Sequence, residues 1–378
     1  MRIAIPVERA PGELRVATVP DVAKRLIAAG HSVVIESGAG ARAFWPDESY
    51  AAVGVEVADT FDMAVAGADV LCKVQAPTAT EAAHLRRGIA TVSFFQPAED
   101  LDATVALRDQ GVTAFSLDLL PRISRAQAMD ALSSQATVSG YRAVLIAADR
   151  LPRFFPMFMT AAGTVPPAKV LVLGAGVAGL QAIATARRLG ALVRVNDVRP
   201  AAKEEVESLG ATFVELGLET QDGAGGYARA QSDDFLHRQR ALIAGEVAKA
   251  DAVITTAAVP GRRAPTLVTA EMVKSMSPGS VIVDLASETG GNCELSVAGE
   301  TIVESGVTIY GGKNVPSQMP VHASFLYARN IAEFAALLSN EGAYAPDFDD
   351  EIIKGTCVVR DGEVLHAGAL ERIGGSPA

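Results

Sequence analysis

The chain has 378 residues, of which 49% are hydrophobic and 20% charged, so we expect two folded domains rather than a disordered protein. The formal net charge of −11 repels phosphate backbones, which makes nucleic acid an unexpected partner. The three cysteines lie far apart in the sequence and match neither a disulfide framework nor the ligand spacing of a zinc site. We therefore expect a protein of a reducing compartment with no metal site.

The sequence contains no segment that predicts secretion or a membrane span. Its N-terminus lacks the basic region and the long apolar stretch of a secretory signal. The most apolar stretch, residues 142–167, is interrupted by charged residues and prolines. We expect the protein to stay inside the cell and to reach a membrane only through a partner.

In the N-terminal half of the chain, short β-branched runs alternate with Ala/Leu-rich helical stretches, which is typical of βαβ units around a parallel sheet. The turn after the first strand, residues 7–14, carries Pro11 and one glycine, so it lacks the glycines that bring a backbone close to a pyrophosphate. We predict a Rossmann-like domain without a dinucleotide. Its predicted strands are 2–6, 32–36, 69–74, 90–94 and 112–117, with a helix at 20–29.

A second module is predicted after a long helix at about 125–150 and a Pro/Gly-rich segment at 156–167. The tail, with a helix at 323–338 and a hairpin near 356–365, is too short to fold alone and is expected to return to the first domain. The fold class is therefore α/β, with doubly wound parallel sheets in residues 1–135 plus 317–378 and in residues 136–316. The six strands predicted in the second module are 169–173, 192–197, 212–215, 251–257, 280–285 and 307–310.

A glycine triplet follows the strand predicted at 169–173 and precedes a helix. The first glycine would allow a tight turn, the second would admit a pyrophosphate, and the third would allow close packing of helix and strand. Asp197 ends the next strand, where a carboxylate can bind the adenosine ribose and favours NAD over NADP, although Arg199 could pair with a 2′-phosphate. A glycine turn that serves packing alone is the alternative. The predicted nucleotide-binding residues are Gly174, Ala175, Gly176, Val177, Gly179 and Asp197.

The stretch 121–135, Pro-Arg-Ile-Ser-Arg-Ala-Gln-Ala-Met-Asp-Ala-Leu-Ser-Ser-Gln, resembles the NAD(H)-binding subunit of proton-translocating transhydrogenases. The resemblance extends over nearly the whole chain and includes residues 5–13, 159–167, 225–228 and 290–293. It implies direct hydride transfer between NAD(H) bound by this chain and NADP(H) bound by a partner subunit, coupled to proton movement across a membrane.

The resemblance also implies site residues and partners. Arg122, Gln127, Asp130 and Ser133 would form the loop against which the nicotinamide lies, and Tyr227 would belong to a mobile loop over the nucleotide. Hydride transfer between two nicotinamides requires reacting carbons within roughly 3 to 3.5 Å, so the residues act by positioning. The implied partners are membrane-spanning and NADP(H)-binding subunits and a second copy of the chain, at the cytoplasmic face of the cell membrane.

The loop that contains Arg122 and Asp130 could have a simpler role, which is to cap a domain-linking helix. Two other functions of the whole protein also remain open. An amino-acid dehydrogenase similar to alanine dehydrogenase would hold a 2-oxo acid with Arg15 and Lys73. That family expects a histidine in the strand where this sequence has Val-Ser-Phe-Phe-Gln at residues 92–96, and without an imidazole the usual acid/base at physiological pH is missing. A protein that senses NADH without catalysis is the other alternative.

Overall fold

A computed structural model describes residues 1–215, 233–258 and 262–374. In chain order, the strands of these ranges are β1 Arg2–Ile5, β2 Ser32–Glu36, β3 Glu56–Ala58, β4 Val70–Gln75, β5 Ala90–Phe94, β6 Thr113–Ser116, β7 Phe158–Thr160, β8 Gly163–Val165, β9 Lys169–Leu173, β10 Leu192–Asn196, β11 Thr212–Phe213, β12 Ala252–Thr255, β13 Val281–Asp284, β14 Thr301–Glu304, β15 Val307–Gly311, β16 Ser339–Asn340, β17 Ala343–Tyr344, β18 Cys357–Arg360 and β19 Glu363–Val364. The α-helices are α1 Pro20–Ala28, α2 Asp47–Ala51, α3 Phe61–Val65, α4 Ala79–Ala83, α5 Leu101–Gln110, α6 Ala131–Arg150, α7 Val177–Arg188, α8 Ala202–Ser208, α9 Asp233–Val247, α10 Ala270–Ser275, α11 Pro320–Leu337, α12 Glu351–Thr356 and α13 Ala367–Ile373.

The chain divides into two compact units. Unit 1 comprises Met1–Gln135 and Ser317–Ala378, and unit 2 comprises Ala136–Pro316. In each unit, helices alternate with the strands of a mainly parallel sheet, which confirms the predicted α/β class. Among the described helices, none combines the length and the apolar character that crossing a membrane requires.

Unit 1 is built on an eight-stranded sheet in the order β19-β18-β6-β5-β4-β1-β2-β3. Strands β1 to β6 are parallel, and the strand order reverses between β1 and β4, which is where ligands bind in open α/β sheets. Strand β18 pairs antiparallel with β6, so the C-terminal tail completes this sheet. Strand β3 has only three residues and was missed by the sequence analysis.

Unit 2 contains a seven-stranded sheet in the order β11-β10-β9-β12-β13-β15-β14. The six predicted strands are present and parallel, with shorter ends in most cases, but the count of six is wrong because β14 adds antiparallel to β15. The two strands are joined by Ser305 and Gly306, whose φ angles of 52° and 78° are typical of a two-residue hairpin turn. The sequence does not predict strand β14, because it is a partly exposed edge strand without a continuous apolar run.

The prediction of one continuous helix over residues 125–150 is wrong. Residues Ser124–Met129 form a 3₁₀ helix, Asp130 leaves helical geometry at φ −70° and ψ 83°, and α6 begins at Ala131. The Asp130 carboxylate accepts hydrogen bonds from the backbone N–H of Ser133 at 2.9 Å and from its hydroxyl at 2.6 Å. Aspartate stabilises a helix start better than a helix interior, so the break falls at this residue.

Within unit 2, α6 packs against α7 at a position where only glycine fits. A Cβ atom built on Gly140 of α6 would lie 2.0 Å from the carbonyl oxygen of Ala178 in α7. Both residues lie in regular helices and the contacted atom is backbone, so no flexible side chain can move away to make room. The absence of a side chain at Gly140 therefore sets how closely the two helices approach.

We expect Gly140→Ala to lower the free energy of unfolding by about 1–3 kcal/mol, because backbone overpacking outweighs the better helix propensity of alanine. The matched control is Gly245→Ala, since Gly245 is exposed in α9 and a Cβ atom there meets nothing within 4 Å. The control is expected to raise the free energy of unfolding by up to about 1 kcal/mol. Guanidinium unfolding of both variants gives the comparison, and equal effects would contradict a close approach at Gly140.

Candidate functional site

The predicted nucleotide loop joins β9 to α7 in unit 2. Gly174 has a φ of 101°, which favours glycine, and its carbonyl oxygen accepts a hydrogen bond from the Thr256 hydroxyl at 3.0 Å. A Cβ atom on Gly179, in the first turn of α7, would lie 1.9 Å from that same carbonyl oxygen. The turn and the packing of the chain itself therefore require two of the three glycines.

Gly176 differs from the other two glycines. Its φ of −68° and ψ of −170° suit any residue, and within the described chain a Cβ atom there meets nothing within 4 Å. Gly176 caps the N-terminus of α7, where unpaired backbone N–H groups and the helix dipole favour an anion. The open space at Gly176 can therefore admit an anionic group such as a pyrophosphate.

Asp197 fastens the glycine loop to the end of β10. Its Oδ2 accepts a hydrogen bond from the backbone N–H of Ala175 at 2.6 Å, and its Oδ1 accepts one from the N–H of Arg199 at 2.7 Å. The Arg199 guanidinium also pairs with Asp197, through Nε at 3.1 Å. With a further bond from a terminal nitrogen of Arg199 at 3.3 Å, the two oxygens accept four hydrogen bonds, about the capacity of a carboxylate. A ribose hydroxyl would therefore take the place of one of the two contacts from the Arg199 guanidinium. The loop contact was not foreseen from the sequence.

Two buried polar residues support the neighbouring strand ends, and the sequence analysis did not select either of them. Asn292 accepts a hydrogen bond from the N–H of Ala257 at 2.9 Å and donates to the carbonyl oxygens of Ala257 and Pro265, each at 2.8 Å. Asp284, the last residue of β13, accepts a hydrogen bond from the Thr255 hydroxyl at 2.8 Å. A polar residue directly after an apolar strand was the available signal for Asp284, whereas the pairing of Asn292 is a long-range contact.

The four residues predicted to face the nicotinamide fall into two pairs within unit 1. Asp130 and Ser133 are half-buried and bonded to each other at the start of α6, so they act as a helix cap. Arg122 and Gln127 are exposed on the preceding loop. That loop is fixed to the core through buried apolar side chains at Ala126 and Met129. Tyr227, the fifth residue implied by the resemblance, lies outside the described residues.

Arg15, which an amino-acid dehydrogenase would use for its substrate, is bound by a carboxylate of its own chain. Its Nε and one terminal nitrogen donate to the two oxygens of Glu13 at 2.7 and 2.6 Å, and the other terminal nitrogen donates to Gln135 at 2.8 Å. Although burial acts to raise the pKa of Glu13, the hydrogen bonds and charge of Arg15 lower it to about 2. Glu13 therefore stays ionised at neutral pH and occupies the guanidinium of Arg15 in a bidentate pair.

Lys73, the other residue of that alternative, is paired in the same way. Its ammonium lies 2.8 Å from Glu81 and 3.7 Å from Glu8, and all three side chains are buried. Burial raises the pKa of Glu8 to about 7, against the opposing charge of Lys73 and the hydrogen bond from the N–H of Val74. Gln96, the last residue of the stretch 92–96 in which that family expects a histidine, is exposed. Both cations are therefore matched by carboxylates within unit 1.

Two family models match the chain: "Alanine dehydrogenase/PNT, N-terminal domain" over residues 4–139 and "Alanine dehydrogenase/PNT, C-terminal domain" over residues 143–367. The first of the polypeptides that make up NAD(P) transhydrogenase subunit alpha of Rhodospirillum rubrum is 47% identical, covering 97% of this chain and 98% of that protein. The crystal structure of transhydrogenase from Sinorhizobium meliloti is similar with a TM-score of 0.85 and 45% identity, covering 97% and 99% of the two chains. Alanine dehydrogenase of Bacillus subtilis is 29% identical over 99% of this chain and 95% of that enzyme.

Proposed function

The chain belongs to the alanine dehydrogenase/PNT family, within it to the NAD(P) transhydrogenase alpha subunits, and on this premise we propose that it binds NAD(H) and exchanges hydride with NADP(H) on a partner subunit. It works as an oxidoreductase only with its partner subunits, and the exchange is coupled to proton movement across the membrane. The open space at Gly176 is the observation that best supports nucleotide binding. Nothing within the described chain requires a glycine there, whereas a bound pyrophosphate would.

We assign NAD(H), rather than NADP(H), to the loop containing Gly174, Ala175, Gly176, Val177 and Gly179. The pyrophosphate lies at the N-terminus of α7, and the ribose hydroxyls bind the carboxylate of Asp197. Because Arg199 already pairs with Asp197, its positive charge is largely neutralised and attracts a 2′-phosphate only weakly. The carboxylate of Asp197 also repels such a phosphate. For Tyr227 we keep the role that the resemblance implies, which is to lie over the bound nucleotide.

The nicotinamide is positioned by the exposed side chains of Arg122 and Gln127. Asp130 and Ser133 contribute by fixing the start of α6 and with it the end of the loop. This division of roles suits direct hydride transfer, because two nicotinamides supply the whole redox chemistry and the protein supplies their geometry. A general acid or base is not required.

The pairing of Arg15 and Lys73 supports a nucleotide rather than an amino or 2-oxo acid as the reaction partner. A substrate carboxylate would have to displace Glu13 from a buried bidentate pair and leave that carboxylate without its partner, which is strongly unfavourable. The greater similarity to transhydrogenase subunits than to alanine dehydrogenases points the same way.

We expect Gly176→Ala to raise the dissociation constant for NADH at least about tenfold, because the new methyl group enters the space reserved for the pyrophosphate. Thermal unfolding should be unchanged, since the backbone angles suit alanine and no neighbouring atom is displaced. Gly245→Ala, another glycine with open surroundings in unit 2, serves as the control and should bind NADH normally. Isothermal titration measures the affinities, and unimpaired binding by Gly176→Ala would place the pyrophosphate elsewhere.

The reaction itself is tested by mixing the purified chain with an NADP(H)-binding transhydrogenase subunit, NADH and a spectrally distinct NADP⁺ analogue. Hydride exchange is expected only when both proteins are present, because the second nucleotide binds to the other polypeptide. In a parallel assay, the chain alone should not reduce NAD⁺ with alanine. Reduction with alanine would favour the amino-acid dehydrogenase, and NADH binding without exchange in the complete mixture would favour the sensor.

A second copy of the chain is proposed to cover the hairpin formed by β7 and β8. Every residue of both strands is exposed, and among the described strands they pair only with each other. The side chains of Phe158, Met159 and Val165 are 43%, 77% and 40% exposed, and the ring centroids of Phe154 and Phe158 lie 4.6 Å apart with the ring planes tilted by 59°. Such an apolar two-stranded ribbon is unstable alone in water, so a homodimer at the cytoplasmic face of the membrane is the proposed assembly.

We expect Met159→Glu to shift the chain from dimer to monomer in light scattering, because the introduced charge would be buried in the interface. NADH affinity should remain normal, which shows that the variant is folded. Leu365→Glu, at an apolar residue 50% exposed in unit 1, is the control and should leave the dimer intact. A dimer of unchanged stability in Met159→Glu would exclude this hairpin as the interface.

A further inference from the structure

A buried amide on α11 holds the backbone of the loop that carries Gln127. Asn330 is 5% exposed, and its Nδ2 donates a hydrogen bond to the carbonyl oxygen of Ala128 at 2.8 Å. Ala128 directly follows Gln127, and both of these loop residues are exposed. The contact lies wholly within unit 1 and joins positions 202 residues apart in the sequence.

Two other features of this turn restrain it less firmly. It is a 3₁₀ helix, a form with weaker backbone hydrogen bonds than an α-helix, and it has no side-chain cap at Ile123. Arg125 pairs with Asp350 at 2.7 Å, but the arginine is exposed and its attraction is screened by salt. The bond from Asn330 comes from a buried donor, so it restrains the turn more firmly than the surface ion pair.

Stability alone does not explain an asparagine at this position. The Oδ1 atom of Asn330 is buried, and within the described part of the chain it has no hydrogen-bond partner. A buried acceptor without a partner is unfavourable, and leucine, with a similar volume, would avoid that penalty. Leucine, however, has no N–H group that could donate a hydrogen bond to the carbonyl oxygen of Ala128.

We propose that Asn330 is a positioning residue for hydride transfer, which acts by fixing the Ala128 carbonyl and with it the backbone of Gln127. The proposal rests on the proposed function, in which Gln127 positions the nicotinamide. Hydride transfer is sensitive to small displacements of the reacting carbons, whereas overall affinity is set mainly where the pyrophosphate and ribose bind. Loss of the Asn330 bond should therefore slow transfer without weakening NADH binding.

The test is Asn330→Leu in the full chain, assayed with the NADP(H)-binding subunit. We expect the exchange rate at saturating nucleotide to fall about tenfold, with the dissociation constant for NADH within about twofold of wild type. The matched control is Gln110→Leu, because Gln110 in α5 of unit 1 also donates its amide to a backbone carbonyl, that of Leu85. The control should leave both quantities unchanged.

Trypsin provides a readout of the loop that does not depend on activity. Arg122 and Arg125 lie in the loop, and fragments ending at either residue can be identified by mass. We expect these cleavages to be faster in Asn330→Leu than in wild type or Gln110→Leu, because the turn loses its buried anchor. Asn330→Ala, which also lacks the donor, is the second variant if the leucine variant does not fold, and it should behave in the same way.

Wild-type exchange and wild-type cleavage in a folded Asn330 variant would overturn the proposal. Equal losses of NADH affinity and exchange rate would also overturn it, since they would indicate general damage to the fold. If wild-type protein itself shows no exchange with the partner subunit, the proposed function fails instead, and the trypsin comparison still decides whether Asn330 restrains the loop.

Discussion

The organisation of unit 2 depends on the backbone contact between Gly174 and Gly179. Because no side chain separates them, α7 begins directly against the end of β9, at the point where the strand order reverses. The contact leaves the helix N-terminus open at Gly176, and Asp197 holds the loop in place through Ala175. Packing therefore creates the site: the approach that closes the interior of the turn leaves its outer side accessible to an anion.

The two units share a strand order and differ in the chemistry at the point of reversal. Each has six parallel strands that reverse between the first and the fourth, with antiparallel strands added at one edge. In unit 2 this point is lined by glycines, whereas in unit 1 it holds buried carboxylates paired with Arg15 and Lys73. A phosphate would be repelled by these carboxylates, and a small acid would have to break their ion pairs. The same strand order therefore carries an open helix N-terminus in one unit and a cluster of paired charges in the other.

Local patterns in the sequence identify the fold class, the parallel strands of both sheets other than β3, and the glycine triplet. They fail at local features whose sequence signal is weak and at features that depend on contacts distant in the chain. The edge strand β14 has little apolar character of its own, and the helix predicted over 125–150 breaks because Asp130 caps α6. Asn292 and Asn330 could not be selected from sequence, because an asparagine becomes informative only when its partner backbone is known. The predicted nucleotide residues, by contrast, lie within one strand–turn–helix unit and the strand that follows.

Asp130 shows how a residue with a proposed functional role also shapes the loop that carries Gln127. Its carboxylate is engaged by Ser133, so its direct effect is to end the 3₁₀ turn and begin α6. Asn330 holds the same turn at Ala128, one residue beyond Gln127. The exposed Gln127 thus lies on a short segment restrained on its C-terminal side by a helix cap and a buried amide. In the proposed reaction, two cofactors supply all of the electrons, and such restraint would be the contribution of the protein, because limiting the geometries that the nicotinamide can adopt lowers the barrier.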